Sequence, residues 1–220
     1  MEGGRQGVYR RVAALFLMLK PLLFGPLTRS FFLEEPGEVA RGLLGKLIVR
    51  RHNEELLAGR IVETEAYYGQ DDEAAHAFTG RTARTEVLFG PPGHAYVYFI
   101  YGMYHCLNVS CEPEGRAGCV LIRALEPVAG GETMAALRGL ETAKNRRLVA
   151  GGPGRLCQAL AITRLAHNGV DVTDPGAELV FAEDGYVPAR IVVTPRVGIR
   201  KAADWPARFY IEGNCCVSRA

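Results

Sequence analysis

The chain has one tryptophan, no Cys-x-x-Cys pair and no apolar stretch long enough to cross a bilayer. Each absence removes a class of function. Without cysteines at metal-ligand spacing there is no zinc ribbon or thioredoxin-like centre, and the adjacent Cys215-Cys216 has no usual structural zinc spacing. Cys106, Cys111 and Cys119 fall within apparent strands and read as buried thiols of a reducing compartment. A Walker loop, Gly-x-Ser-x-Gly, His-Glu-x-x-His and a dinucleotide fingerprint are also missing. A net charge of +2 is too mild to mark a polyanionic partner by itself, so only local clustering of charge is informative. Arg10-Arg11 and the apolar residues 12–19 imitate a signal peptide. Lys20-Pro21 interrupts them and no Ala-x-Ala site follows, so residues 1–32 are expected to form an N-terminal arm, mobile or partly helical.

What is present describes a globular protein. The chain is 220 residues long, 48% hydrophobic and 23% charged, enough for a sizeable core in one domain. Pro36 opens a short helix over 35–44. Strands are expected at 46–51 and 56–65 across a polar turn, and again at 118–126. Helical spacing marks 132–140, and 155–163 after the breaker Gly151-Gly-Pro-Gly154. Short strands at 178–181, 190–194 and 209–212 close the chain. Hairpin-joined strands with helices inserted between them predict an α+β fold, a single domain around a curved, mostly antiparallel sheet with peripheral helices.

The densest signal is His94-Ala-Tyr-Val-Tyr-Phe-Ile-Tyr-Gly-Met-Tyr-His105. A two-residue period puts Tyr96, Tyr98 and Ile100 on one face and Val97 and Phe99 on the other. Tyr101-Gly-Met-Tyr104 reads as a hairpin turn, with 106–111 as the return strand. Rings at a turn either pack under a neighbour or are displayed to something flat. Ile61-Val-Glu-Thr-Glu-Ala-Tyr67 ends a strand with Glu63 and Glu65 on the same face. Arg123 interrupts the apolar run Cys119-Val-Leu-Ile-Arg-Ala-Leu125, where a charge needs a carboxylate or a ligand; a purely structural Arg–Glu pair satisfies it equally. Arg81 and Arg84, and Lys144, Arg146 and Arg147, form two basic clusters flanked by glycine-rich turns. They suit phosphate oxygens or are simply solvated surface. Gly152-Pro-Gly-Arg155 at a helix start is a further anion candidate.

Several segments occur in a telling order: Val62-Glu-Thr-Glu-Ala-Tyr67, Asp72-Glu-Ala-Ala-His76, Tyr96-Val-Tyr-x-x-Tyr-Gly-Met-Tyr104, Asn108, Val120-Leu-Ile-Arg-Ala-Leu-Glu-Pro127, Gly152-Pro-Gly-Arg-Leu-Cys-Gln-Ala-Leu-Ala161, Arg196-Val-Gly198 and Arg208-Phe-Tyr210. Together they closely resemble the alkyladenine (3-methyladenine) DNA glycosylase family of the mammalian type. The resemblance spans about residues 33–218, so residues 33–220 are expected to be the DNA glycosylase domain. It implies that Glu65 is the general base that activates water, with Arg123 and the Val197 carbonyl helping to hold that water. Tyr67, His76 and Tyr98 match the base pocket, with Ala74 and Leu121 beside them, and Asn108 matches the residue that crowds the 2-amino group of guanine. Tyr101 matches the side chain that enters the duplex, flanked by Met103 and Tyr104. Arg81, Arg84, Lys144, Arg146 and Arg147 are the expected phosphate contacts. His105 and Tyr68 depart from the family pattern, which leaves the local shape of the pocket open.

The activity implied is excision of an alkylated or deaminated purine from double-stranded DNA, leaving an abasic site, by a monomer that needs no metal and no cofactor. It also implies a protein inside the cell with chromosomal DNA, and no membrane association. Two other readings stay open on the residues alone. One is a nucleic-acid-binding module that cleaves nothing. The other is a hydrolase of free nucleosides or glycosides using Glu63 with Glu65, although a tyrosine-tipped turn suits a duplex better.

Overall fold

A computed structural model describes residues 25–218. Nine strands form one sheet in which each pairing is antiparallel: β1 (Gly25–Pro26), β2 (Leu47–His52), β3 (Glu55–Tyr67), β4 (Ala95–Ile100), β5 (Tyr104–Cys111), β6 (Gly118–Ala129), β7 (Leu179–Glu183), β8 (Ile191–Thr194) and β9 (Arg208–Ile211). The order is β1-β7-β2-β3-β6-β5-β4. β3 is the axis. Its first half pairs with β2 on one edge and its last residues pair with β9 on that same side, so the sheet forks at the end of β3. This is the expected α+β architecture, a curved antiparallel sheet with peripheral helices.

Helices α1 (Pro36–Leu43), α2 (Gly131–Leu137) and α4 (Pro153–Ala159) cover one face and bury Val39, Leu43, Met134, Leu156 and Cys157 against Ile48, Leu57, Val97, Leu107, Val120 and Ile122. The other face carries a smaller cluster of Ala77, Leu88, Phe89, Tyr96 and Cys119, with Tyr67 and Tyr98 packed on it. Alternation along β4 is as the pattern predicts: Tyr96 and Tyr98 join the small cluster while Val97 enters the main core.

In β3 the alternation breaks once. Leu57 and Ile61 face the main core, and then so do Val62 and Ala66, while the Thr64 hydroxyl donates to the Ala40 carbonyl of α1. The ladder with β6 slips between Ile61 and Glu63 and again between Glu63 and Thr64. The extra residue, Val62, is a β-bulge, which switches the strand's parity. Downstream of it, Glu63, Glu65 and Tyr67 leave the core face. Arg123 is the unpaired residue across the second slip.

Several boundaries differ from the sequence pattern. The hairpin turn is three residues, Tyr101 to Met103, because Ile100 pairs with Tyr104, which already belongs to the return strand. Helices α3 (Arg146–Ala150) and α5 (Arg164–His167) are additional; they span five and four residues, too few to show a hydrophobic period. Within the expected arm, Gly25-Pro26 pairs with β7 and Phe32 is fully buried, so residues 25–32 dock on the domain. The rest of the arm lies outside the described residues.

Candidate active site

Glu63 and Glu65 are both fully buried, yet their surroundings differ. Glu63 Oε1 accepts from Arg123 Nε and from Arg208 Nε, each at 2.8 Å, and from the Ser218 hydroxyl at 3.0 Å. Its Oε2 accepts from the Ser218 N–H at 2.7 Å. Burial opposes ionisation of Glu63, but Arg123, the Ser218 bonds and Arg208 outweigh it and hold the carboxyl below its ordinary range. Glu63 is the structural partner that a buried arginine requires. Glu65 is less enclosed by protein. Its Oε1 accepts from the Val197 N–H at 2.7 Å and lies 3.2 Å from Arg123 Nη1, and its Oε2 accepts from the Tyr67 hydroxyl at 2.9 Å. Glu65 lines a cavity of about 580 Å³ together with Tyr67, Tyr98, Tyr101, Arg123 and Val197. Oε2 therefore keeps acceptor capacity on the side of that cavity.

The loop that brings Val197 there is anchored by Arg196. Its guanidinium forms a bidentate, fully buried pair with Asp72 and donates to the Ala66 carbonyl at 3.0 Å. The same guanidinium lies 4.6 Å from the Tyr67 ring centroid, a cation–π contact that fixes the ring. Burial, and next the Glu65 carboxylate, push the Tyr67 phenol well above its ordinary range, so it remains a hydroxyl donor. Neither Arg196 nor Asp72 was assigned a role from the sequence, although both stand inside the quoted motifs.

A second cavity of about 170 Å³ adjoins the first and shares Tyr67, Tyr98, Ile100 and Ile199 with it. Ala74, His76, Tyr96, Asn108 and Cys119 complete its lining. Leu121 faces the larger cavity instead. Tyr67 and Tyr98 thus stand at the junction of a carboxylate-floored cleft and an aromatic pocket. Burial, then Cys106, raise the Tyr98 phenol far above its usual value, so it too stays neutral. Asn108 donates from Nδ2 to the Tyr96 carbonyl at 3.2 Å across the β4–β5 pair. Its Oδ1 is not used in that bond. Ile199, Tyr96 and Cys106 are lining residues that sequence reasoning did not name as such.

Comparison with known proteins now decides the family. Residues 30–215 match the model of the methylpurine-DNA glycosylases. The chain belongs to that family. A relative from Koribacter versatilis, provisionally named a 3-methyladenine DNA glycosylase, is 55% identical over 88% of this chain and 93% of its own length. Relatives of the same name from Methanocella arvoryzae and Carboxydothermus hydrogenoformans are each 49% identical over 88% of this chain, and 96% and 98% of their own lengths. These relatives are bacterial and archaeal, so the family is established while the mammalian type is not what they single out. The family's activity, excision of alkylated purines from DNA, is the coarse function of this chain.

On this glycosylase the hairpin tip is the most exposed aromatic feature. Tyr101 is 81% exposed and Met103 is 61% exposed. Tyr101 has φ 54° and Gly102 φ 69°, left-handed conformations that the tight turn between Ile100 and Tyr104 requires. Tyr104 packs on α4: a Cβ on Gly154 would meet its ring at 3.0 Å. The five expected phosphate contacts are all exposed, but most are already engaged. Arg81 pairs with Glu86 at 2.8 Å, Arg146 with Glu126 at 2.8 Å, and Arg147 donates to the Ser218 carbonyl at 2.7 Å. Arg84 reaches His76 and Tyr98. Arg138 and Arg155 line the large cavity; Arg155 had been singled out by its glycine-rich context, whereas nothing in the local pattern marked Arg138. Among the described residues there is no group of three or more His, Cys, Asp and Glu placed to hold a metal ion, and no helix long and apolar enough to cross a membrane.

Proposed function

We propose that this protein is a monofunctional glycosylase that extrudes an alkylated or deaminated purine from duplex DNA and hydrolyses its N-glycosidic bond with a water activated by Glu65. The observation that carries this reading is the contrast between the two carboxylates. Both carboxylates accept from protein donors on both oxygens, but Glu63 is closed in by two arginines and Ser218, whereas Glu65, oriented by Val197, Arg123 and Tyr67, lines the cleft. Cleavage passes through an oxocarbenium-like sugar, which a fixed carboxylate stabilises as the water attacks. The expectation was a water held by Arg123 and the Val197 carbonyl; the contact present is the Val197 N–H on Glu65, which orients the base itself.

Extrusion costs a few kcal/mol, less where damage has weakened pairing. Stacking contributes about 1–3 kcal/mol per base, so a purine between Tyr67 and Tyr98 offsets that cost, and a cationic base gains further from the ring faces. Tyr101 fills the gap in the duplex. Asn108 crowds a 2-amino group and so rejects guanine. The reaction needs no lysine nucleophile, no metal and no cofactor. The enzyme acts as a monomer, inside the cell, on chromosomal DNA. Incubation with duplexes carrying hypoxanthine, ethenoadenine or 3-methyladenine, followed by alkaline cleavage of abasic sites, tests the reading. Strand breaks at the lesion only after alkali are expected. Breaks before alkali overturn the monofunctional assignment, and intact DNA after long incubation favours a binding module.

A further inference from the structure

Arg84 has a place that a phosphate contact does not explain. Its Nη2 lies 3.2 Å from His76 Nε2, and its guanidinium carbon lies 5.3 Å from the Tyr98 ring centroid. On the other side of the imidazole, His76 Nδ1 lies 3.0 Å from the Tyr96 hydroxyl. Arginine has donors and no acceptor, so a bond between Arg84 and Nε2 requires that nitrogen to be unprotonated. The neutral ring then carries its proton on Nδ1. That proton fixes the direction of the next bond: Nδ1–H donates, and the Tyr96 oxygen accepts.

The consequence reaches the pocket. The Tyr96 oxygen also accepts from the Arg84 side chain, so with the His76 bond accepted too the hydroxyl has its own proton left to give, and among the described residues no acceptor takes it. Tyr96 is buried and lines the 170 Å³ pocket beside Tyr67, Tyr98 and Asn108. Burial, and then the Arg84 charge, lower the His76 pKa to about 4, so the ring is neutral at physiological pH.

We propose that Arg84 is a positioning residue for specificity: by locking His76 as the Nδ1–H tautomer it turns the Tyr96 hydroxyl into a donor facing the base pocket. The site then favours a purine with an acceptor on the facing edge, and so a 6-carbonyl such as that of hypoxanthine over the 6-amino group of 3-methyladenine. The identity of the ligand as a purine rests on the function proposed above; the lock on His76 does not.

The test has two arms. Ring nitrogens of histidine-labelled protein, followed by nitrogen-15 NMR from pH 4 to 8, report the tautomer directly. Wild type is expected as Nδ1–H. Arg84→Met is expected to populate the Nε2–H tautomer and to raise the His76 midpoint by a unit or more, and Arg84→Lys, which keeps a donor, to restore the wild-type pattern. An Nε2–H tautomer in wild type, or no change in Arg84→Met, overturns the lock. In the second arm, single-turnover excision of hypoxanthine relative to 3-methyladenine is expected to fall roughly 3–10-fold in both Arg84→Met and Tyr96→Phe, the loss of one hydrogen bond. Unchanged ratios overturn the selectivity. Wild type that releases neither base overturns the glycosylase reading and the purine selectivity with it, and the NMR arm still decides the lock.

Discussion

Replacing each of the two buried glutamates by glutamine separates chemistry from architecture. At Glu65 a glutamine side chain fits. Its oxygen takes the place of Oε1 under the Val197 N–H and Arg123, and its amide faces the Tyr67 hydroxyl, which turns round to accept. Arg123 keeps Glu63 at 2.8 Å, so the fold stays stable. The amide cannot take a proton from water, and single-turnover cleavage is expected to fall by about two or more decades, roughly 2.7 kcal/mol of barrier, with binding to damaged duplex retained. At Glu63 the same change has the opposite profile. Both oxygens already accept, from two arginines and from Ser218 twice, so an amide nitrogen must face a donor. Arg123 and Arg208 also lose the carboxylate that they share, although Arg123 keeps Glu65. Breaking a buried pair in this way costs about 3–5 kcal/mol, or roughly 6–20 °C in Tm for a chain of this size. Thermal unfolding and single-turnover kinetics on both variants read the two effects separately. A Glu63→Gln protein as stable as wild type but inactive, beside an active Glu65→Gln protein, would refute the assignment of roles.

Tyr101→Ser removes the wedge and leaves the carboxylate cleft intact, so excision should drop strongly on paired lesions and less on mispaired or single-stranded ones; equal losses on both would make Tyr101 a support of the fold. Asn108→Ala gives up the bond to the Tyr96 carbonyl, about 1 kcal/mol of stability, and should raise release of guanine or 7-methylguanine relative to hypoxanthine, whereas a uniform slowing of all purines would assign Asn108 to the strand alone. The folded pKa of Glu63 lies below its unfolded value of 4.5, so its contribution is present above about pH 4.5 and is lost as pH falls through the folded value; a urea midpoint that drops below pH 4.5 in wild type, and drops less in Glu63→Gln, where Asp171 and Asp184 still titrate, is the expected result. Duplex affinity should weaken with rising salt, and Lys144→Ala should flatten that slope, while full activity is expected in excess chelator.

Much of the site was legible because its residues sit in short motifs whose spacing follows a strand. Glu63 and Glu65 share a face by simple alternation, as do Tyr96 and Tyr98, and the fold has both pairs so placed. An arginine inside the apolar run of β6 was a sign of a buried partner, and Arg123 does bridge the two carboxylates. What could not be read was contact across long separation. Ser218 clamps Glu63 from 155 residues away, and Arg196 reaches Asp72 across 124. No local period encodes either bond. The basic clusters show the reverse limitation: charge type was plain, but whether each charge faces solvent or a neighbour depends on placements such as that of Arg84 beside His76.

The extra residue at Val62 makes the distance between fold and chemistry a matter of counting. Upstream of it, odd-numbered side chains face the core; downstream, the even ones do. Were the strand to alternate regularly through Val62, with no bulge, Glu63, Glu65 and Tyr67 would turn into the apolar interior, with Thr64 and Ala66 facing the cleft in their place. A one-residue insertion or deletion between Glu63 and Tyr67 would reverse those faces in the same way, so this stretch should accept substitutions far more readily than a change in length. Among homologous chains, insertions and deletions are expected at residues 139–142, in the exposed loop between α2 and α3, away from the strands that carry Glu65, Tyr67 and Tyr98.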